Sequence, residues 1–150
     1  MKKSHIVIEI LPRALWIIEG VFLFLAYYFR DKNIDISRNL FFIFPGVLII
    51  VSGVWRLILS FIYLAKPMAT KELMTKGPYQ YVRHPMYVSM YCVLIGLGIL
   101  HFSFWWFLVL AVFTPLWYIV CILEEWQMTD LWGNLYHEYK KKTGMFFRKT

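Results

Sequence analysis

The chain has 150 residues, 60% of them hydrophobic and 17% charged, where a soluble domain carries roughly 25% charged residues. From Tyr87 to Leu123 there are 37 consecutive residues with no Asp, Glu, Lys or Arg, a stretch that a bilayer demands and a soluble core does not. These features exclude an ordinary cytosolic domain, a disordered tail and a nucleic-acid module. The net charge of +7 comes mostly from Lys and Arg that flank apolar segments, as topology signals and headgroup contacts do.

The first apolar segment, Ala14 to Phe29, is short for a hydrocarbon core of ~30 Å, so it is expected to borrow Ile6–Leu11 or to sit in a thinned bilayer. Lys2 and Lys3 precede it, but no small-residue cleavage site follows, which predicts a retained helix. Leu40 to Ala65 is long enough to span with tilt and contains one charge, Arg56. The uncharged stretch would reach about 55 Å as one helix, too long for one crossing. His101-Phe102-Ser103 is its polar interruption, which predicts a hairpin of Met86–Leu100 and Phe104–Leu123, the second arm kinked at Pro115. Glu124 to Lys142 reads as an amphipathic helix, with Met128, Leu131, Trp132, Leu135 and Tyr139 on one face and Gly144 as its stop.

The pattern therefore predicts an all-α integral membrane protein in a single domain, residues 1–150. It has about four transmembrane helices and a C-terminal amphipathic helix. Twelve Lys and Arg fall on the side that holds the N-terminus, the second loop and the tail, against three (Arg30, Lys32, Arg38) on the other. That imbalance places both termini in the cytoplasm. Cys92 and Cys121 lie in apolar segments and read as small buried hydrophobes, so neither a disulfide nor a metal site is expected.

Chemistry concentrates in two places. In Gly77-Pro78-Tyr79-Gln80-Tyr81-Val82-Arg83-His84-Pro85-Met86-Tyr87, Gly-Pro marks a turn and Pro85 suits the first position of a helix. Arg83 and His84 would then sit at a helix N-terminus whose free N–H groups form an anion site, or contact lipid phosphate in an interfacial tyrosine belt. Glu124-Glu125 is either the solvated start of the amphipathic helix or a carboxylate pair held by Arg83 and His84 across the membrane face. Gly96 and Gly98 allow a close helix or lipid approach. The intramembrane Glu19 and Arg56 either pair with each other or snorkel apart. Arg56 is also a candidate substrate contact.

This combination resembles the membrane-embedded S-adenosylmethionine-dependent methyltransferases, which include isoprenylcysteine carboxyl methyltransferases and phospholipid N-methyltransferases. The resemblance rests on the 77–87 run, the uncharged hairpin, Glu124-Glu125, Trp132-Gly133 and Tyr136-X-X-Tyr139, and it covers about residues 45–139. Ser89, Trp132 and Leu135 depart from the Gly, Phe and Glu usual in the family, and no basic residue precedes Glu124. It implies S-adenosylmethionine as cofactor, bound by Tyr79, Tyr81, Arg83, His84, Tyr87, Glu124, Glu125, Tyr136 and Tyr139, with Arg83, Glu125 and Arg56 as candidate catalytic residues. The implied acceptor is a lipophilic molecule from the membrane, an isoprenylcysteine-like carboxylate first and a phospholipid amine second. A non-catalytic membrane protein is the competing reading.

Overall fold

A computed structural model describes residues 2–29, 40–70 and 72–149, and the side chains of 2–9 and 66–70 stand outside that description. The cations Arg30, Lys32, Arg38 and Lys71, which enter the topology count, also lie outside the described residues. Among the described residues there are five α-helices and no β-strand: α1 Lys2–Tyr28, α2 Leu40–Thr70, α3 Pro85–His101, α4 Phe104–Trp132 and α5 Asn134–Lys142. The first segment extends backwards through Ile6–Leu11, one of the two alternatives its length left open. Ile10–Tyr28, Leu40–Ala65 and Phe104–Trp132 are long and apolar enough to cross a bilayer. The fourth expected span, α3, has 17 residues and rises about 25 Å, a few Å short of the core thickness.

The helices associate as two antiparallel pairs. α3 lies along α2, and α1 lies along α4, while the hairpin partners α3 and α4 touch little. The α2–α3 seam is a close fit of backbones. A Cβ on Gly96 would stand 2.8 Å from the Gly46 carbonyl, and one on Gly53 2.9 Å from that of Ser89, so small residues let the axes approach. Gly96 therefore serves helix packing. Gly98, whose added Cβ would meet Trp106 and Phe107, does so at the hairpin.

The α1–α4 seam is aromatic. Leu23 and Ala26 pack on Trp106 and Leu110 towards one membrane face; Leu11, Leu15 and Trp16 pack around Phe113, Trp117 and Val120 towards the other. Glu19 is fully buried here and accepts a 2.7 Å hydrogen bond from the Trp117 indole. It does not pair with Arg56, whose Nε and Nη2 fold back onto the Ser52 carbonyl and hydroxyl of its own helix.

The reversal falls where the sequence placed it. Phe102 adopts a left-handed conformation (φ 43°), and Ser103 caps α4 by accepting from the Trp106 N–H at 3.3 Å. The same hydroxyl donates to the Ala26 carbonyl, tying the reversal to α1. α4 runs through Pro115.

The tail departs from expectation. No helix begins at Glu124, because the apolar-to-polar change falls inside α4, which continues to Trp132. At about 43 Å it outruns the hydrocarbon core, so Glu124 and Glu125 lie near the level where the apolar layer ends. The break comes at Gly133 (φ 50°, ψ −121°), a backbone conformation open to glycine, and α5 turns away from there.

Candidate functional site

At the end of the bundle where α2 and α4 finish and α3 begins, the two helix pairs splay around a cavity of about 1170 Å³. Its walls come from α1 (Trp16), α2 (Leu57, Phe61, Leu64), the segment 72–74, the 77–87 run, α4 and α5. Gly77 starts the 3-10 turn Gly77–Gln80 with φ 61°. A side chain there would strike the Tyr63 ring, 2.6 Å from an added Cβ, so the glycine sets the turn flush against α2. That seats Tyr79 as a nearly buried wall of the cavity, its carbonyl accepting from the Tyr139 hydroxyl of α5 at 2.6 Å. Burial, and then the nearby Glu124 charge, push the Tyr79 hydroxyl up to about 12. Burial likewise raises Tyr136 and Tyr139, so all three phenols are neutral at working pH.

The structure separates the roles of the two glutamates, which the sequence left open. Glu125 is 4% exposed, and both its oxygens are engaged: Oε1 accepts from Arg83 Nε at 2.6 Å, and Oε2 meets Lys140 Nζ at 2.8 Å. It stands behind the wall that Arg83 and His84 present to the cavity. Glu124 borders the cavity itself, with one oxygen accepting from the Tyr87 hydroxyl at 2.6 Å. Its other oxygen lies 3.6 Å from His84 Nδ1, and the His84 Nε2 lies 3.5 Å from Glu125, so the imidazole stands between the carboxylates without closing a hydrogen bond to either. Glu124 thus keeps acceptor capacity, and Arg83, with five donors of which two are committed to Glu125 and the Thr143 carbonyl, keeps donors.

Two amides just ahead of α3 are closed to an anion: those of Arg83 and His84 donate to the carbonyls of Gly144 (2.8 Å) and Met145 (3.2 Å), so the C-terminal segment occupies them.

Of the other residues singled out from the sequence, Tyr87, Tyr136 and Tyr139 line the cavity, whereas Tyr81 is 47% exposed and carries Arg148 over its ring at 5.4 Å. Arg56 does not line the cavity. It lies roughly 80–140° round α2 from Leu57, Phe61 and Leu64, on the other flank of the α2–α3 seam, with Nη2 3.9 Å from Cys92 Sγ. Cys121 is fully buried, and its Sγ, His84 and Glu124 bring potential ligand atoms within 4.8 Å of one another, a convergence that sequence spacing does not show. The sequence reading also missed the cavity residues Trp16, Gln127 and Trp132 and the methionines Met74, Met86, Met90 and Met128. Four methionines, from the 72–74 segment, α3 and α4, give the cavity an adaptable apolar lining, and their recurrence near the polar motifs was the available signal.

The protein-family model for phospholipid methyltransferases matches residues 38–135, about two thirds of the chain. The chain belongs to the phospholipid methyltransferase family. No match is found among curated proteins or among solved structures. The matched region contains the whole 77–87 run, the hairpin, and both glutamates; α5 beyond Leu135 and the C-terminal segment lie outside it.

Proposed function

We propose that this protein transfers a methyl group from S-adenosylmethionine to the amine headgroup of a membrane lipid, with the site and both termini on the cytoplasmic side. The observation that carries this reading is the form of the cavity. Arg83, His84, Glu124 and the phenols Tyr79 and Tyr139 share its lining with the apolar side chains Leu57, Phe61, Leu64, Met90, Met128 and Leu131. At about 1170 Å³ it exceeds the ~300–1,000 Å³ of ordinary small-molecule sites, which leaves room for a cofactor and part of a lipid together.

The residues fit the cofactor's groups. Arg83 has donors for its carboxylate, and Glu124 accepts from its ammonium or ribose hydroxyls. The aromatic faces of Tyr79, Tyr136 and Tyr139 suit an adenine ring or a sulfonium. The bound cofactor supplies the electrophilic methyl carbon; the chain supplies position and charge. An acceptor nitrogen reacts only as the free base, so an ammonium headgroup must give up a proton. With Glu124 engaged by the cofactor, the His84 imidazole in the cavity wall, its Nδ1 3.6 Å from Glu124, is the neighbouring base with capacity to take it.

The amine is placed ahead of the isoprenylcysteine-like carboxylate because of the family match. Incubation of the purified protein with methyl-labelled S-adenosylmethionine tests this in vesicles containing phosphatidylethanolamine and, separately, in vesicles containing a prenylated cysteine. Label in the phospholipid is expected. Label only in the prenylcysteine would move the assignment to the carboxylate, and label in neither, from folded protein, would remove the enzymatic reading.

A further inference from the structure

We infer that the C-terminal segment Thr143–Phe146, outside the region that defines the family, is a strap that positions Arg83 and His84 for cofactor binding, and that Gly144 is the residue that allows it to close. The inference rests on the methyltransferase reading above.

Three kinds of contact hold the strap. Gly144 bridges Val82 in parallel, the bond from the Arg83 amide being part of that bridge. The carbonyls of Gly144 and Met145 take the Arg83 and His84 amides at 2.8 and 3.2 Å. The Thr143 carbonyl accepts from Arg83 Nη1. The Phe146 ring lies 5.9 Å from the His84 ring and 6.2 Å from that of Tyr118, closing over the imidazole. Thr143 is 3% exposed, so the start of the strap is built into the protein. It is also tied to α5 from its far end, where Lys149 Nζ donates to the Lys140 and Lys141 carbonyls at 3.2 Å.

This arrangement fixes Arg83 from three directions: Glu125 holds Nε, Thr143 holds Nη1, and Gly144 holds the backbone. A guanidinium so restrained presents its remaining donors in one direction, and a ligand carboxylate need not order the side chain on binding. Gly144 cannot be replaced without moving the strap, since a Cβ there would stand 1.7 Å from the Phe147 carbonyl oxygen. Gly144 contacts no part of the large cavity. It acts through Arg83 and His84 and is a positioning residue.

The test uses the full-length protein in nanodiscs, with S-adenosylhomocysteine as the probe. Gly144→Ala is expected to weaken binding by more than about tenfold, and removal of residues 143–150 to do the same. The discriminating readout is coupling. In an Arg83→Ala/His84→Ala background, Gly144→Ala is expected to cost less than about threefold, because both side chains through which it acts are gone. Full additivity, or binding by Gly144→Ala within about twofold of the wild type, overturns the inference. Amide hydrogen exchange on the same samples reads the strap without any ligand: Arg83 and His84 should be protected in the wild type and released in Gly144→Ala. Rapid exchange at both amides in the wild type would also overturn it. Protected amides in a folded wild type that binds no S-adenosylhomocysteine would sink the methyltransferase reading and the positioning role with it, leaving the strap as structure alone.

Discussion

The two ends of the α3–α4 hairpin both bury polar groups, and they handle them differently. At the His101–Ser103 reversal the polar groups satisfy one another. Ser103 Oγ accepts from the Trp106 N–H and donates to the Ala26 carbonyl, and the Trp106 indole donates to the Leu94 carbonyl at 2.8 Å. At the opposite end, Arg83, His84 and Glu124 border a large cavity with hydrogen-bonding capacity to spare. A closed network holds chain segments together. An open one, held in place by a closed one behind it, is what a binding site requires. Glu125 is the boundary between the two at the site end, because it belongs to the closed part while its neighbour Glu124 faces the open part.

That contrast can be broken most forcefully at Glu125. Glu125→Ala leaves Arg83 and Lys140 without their shared anion in a buried setting, and a loss of stability on the order of 3 kcal/mol is expected. It is read as a lower melting temperature in detergent, together with loss of cofactor binding because Arg83 is released. Glu124→Gln should behave oppositely. The melting temperature should hold within a few degrees, while affinity for S-adenosylhomocysteine and the rate of methyl transfer fall by roughly tenfold or more, the loss of one charge-assisted contact. Equal melting losses in the two variants would erase the distinction drawn between them.

At the far end, Ser103→Ala removes a helix cap and is expected to cost about 1 kcal/mol of stability, with S-adenosylhomocysteine affinity unchanged. Calorimetry on that variant checks whether the reversal is purely structural. The smallest effect concerns pH. The Tyr79 hydroxyl, held near 12 by burial and by Glu124, keeps its proton more tightly folded than unfolded. Its contribution is therefore complete below pH ~10 and declines as pH rises from there through ~12. Alkaline melting curves of Tyr79→Phe should show a shallower decline, with the part due to Tyr136 and Tyr139 left in place.

Much of this was legible in the sequence because it depends on local pattern. The uncharged run with a polar break at His101–Ser103 could only be folded back on itself in a bilayer, and Gly77-Pro78 and Pro85 punctuate the chain where the structure turns. Arg83, His84, Tyr87 and Glu124 meet as the shared membrane face suggested. What was not legible depends on pairings distant along the chain. Helix spacing could not reveal that α3 would pack on α2 instead of on α4, since that choice rests on backbone contact at Gly53 and Gly96. Nor did the tail's composition reveal that residues 143–146 would occupy the amides of Arg83 and His84, because backbone hydrogen bonds leave little trace in side-chain identity. Arg56 shows the complementary limit: an intramembrane charge invites a functional role, and the helix phase turns it away from the cavity.

The account turns on whether the open network at the Arg83 end is a cofactor site, and calorimetric titration of the purified protein with S-adenosylhomocysteine measures that most directly. Affinity in the micromolar range is expected, weakened at least tenfold by Arg83→Ala and untouched by Ser103→Ala. Absence of binding in a folded sample, or equal weakening by both substitutions, would contradict it.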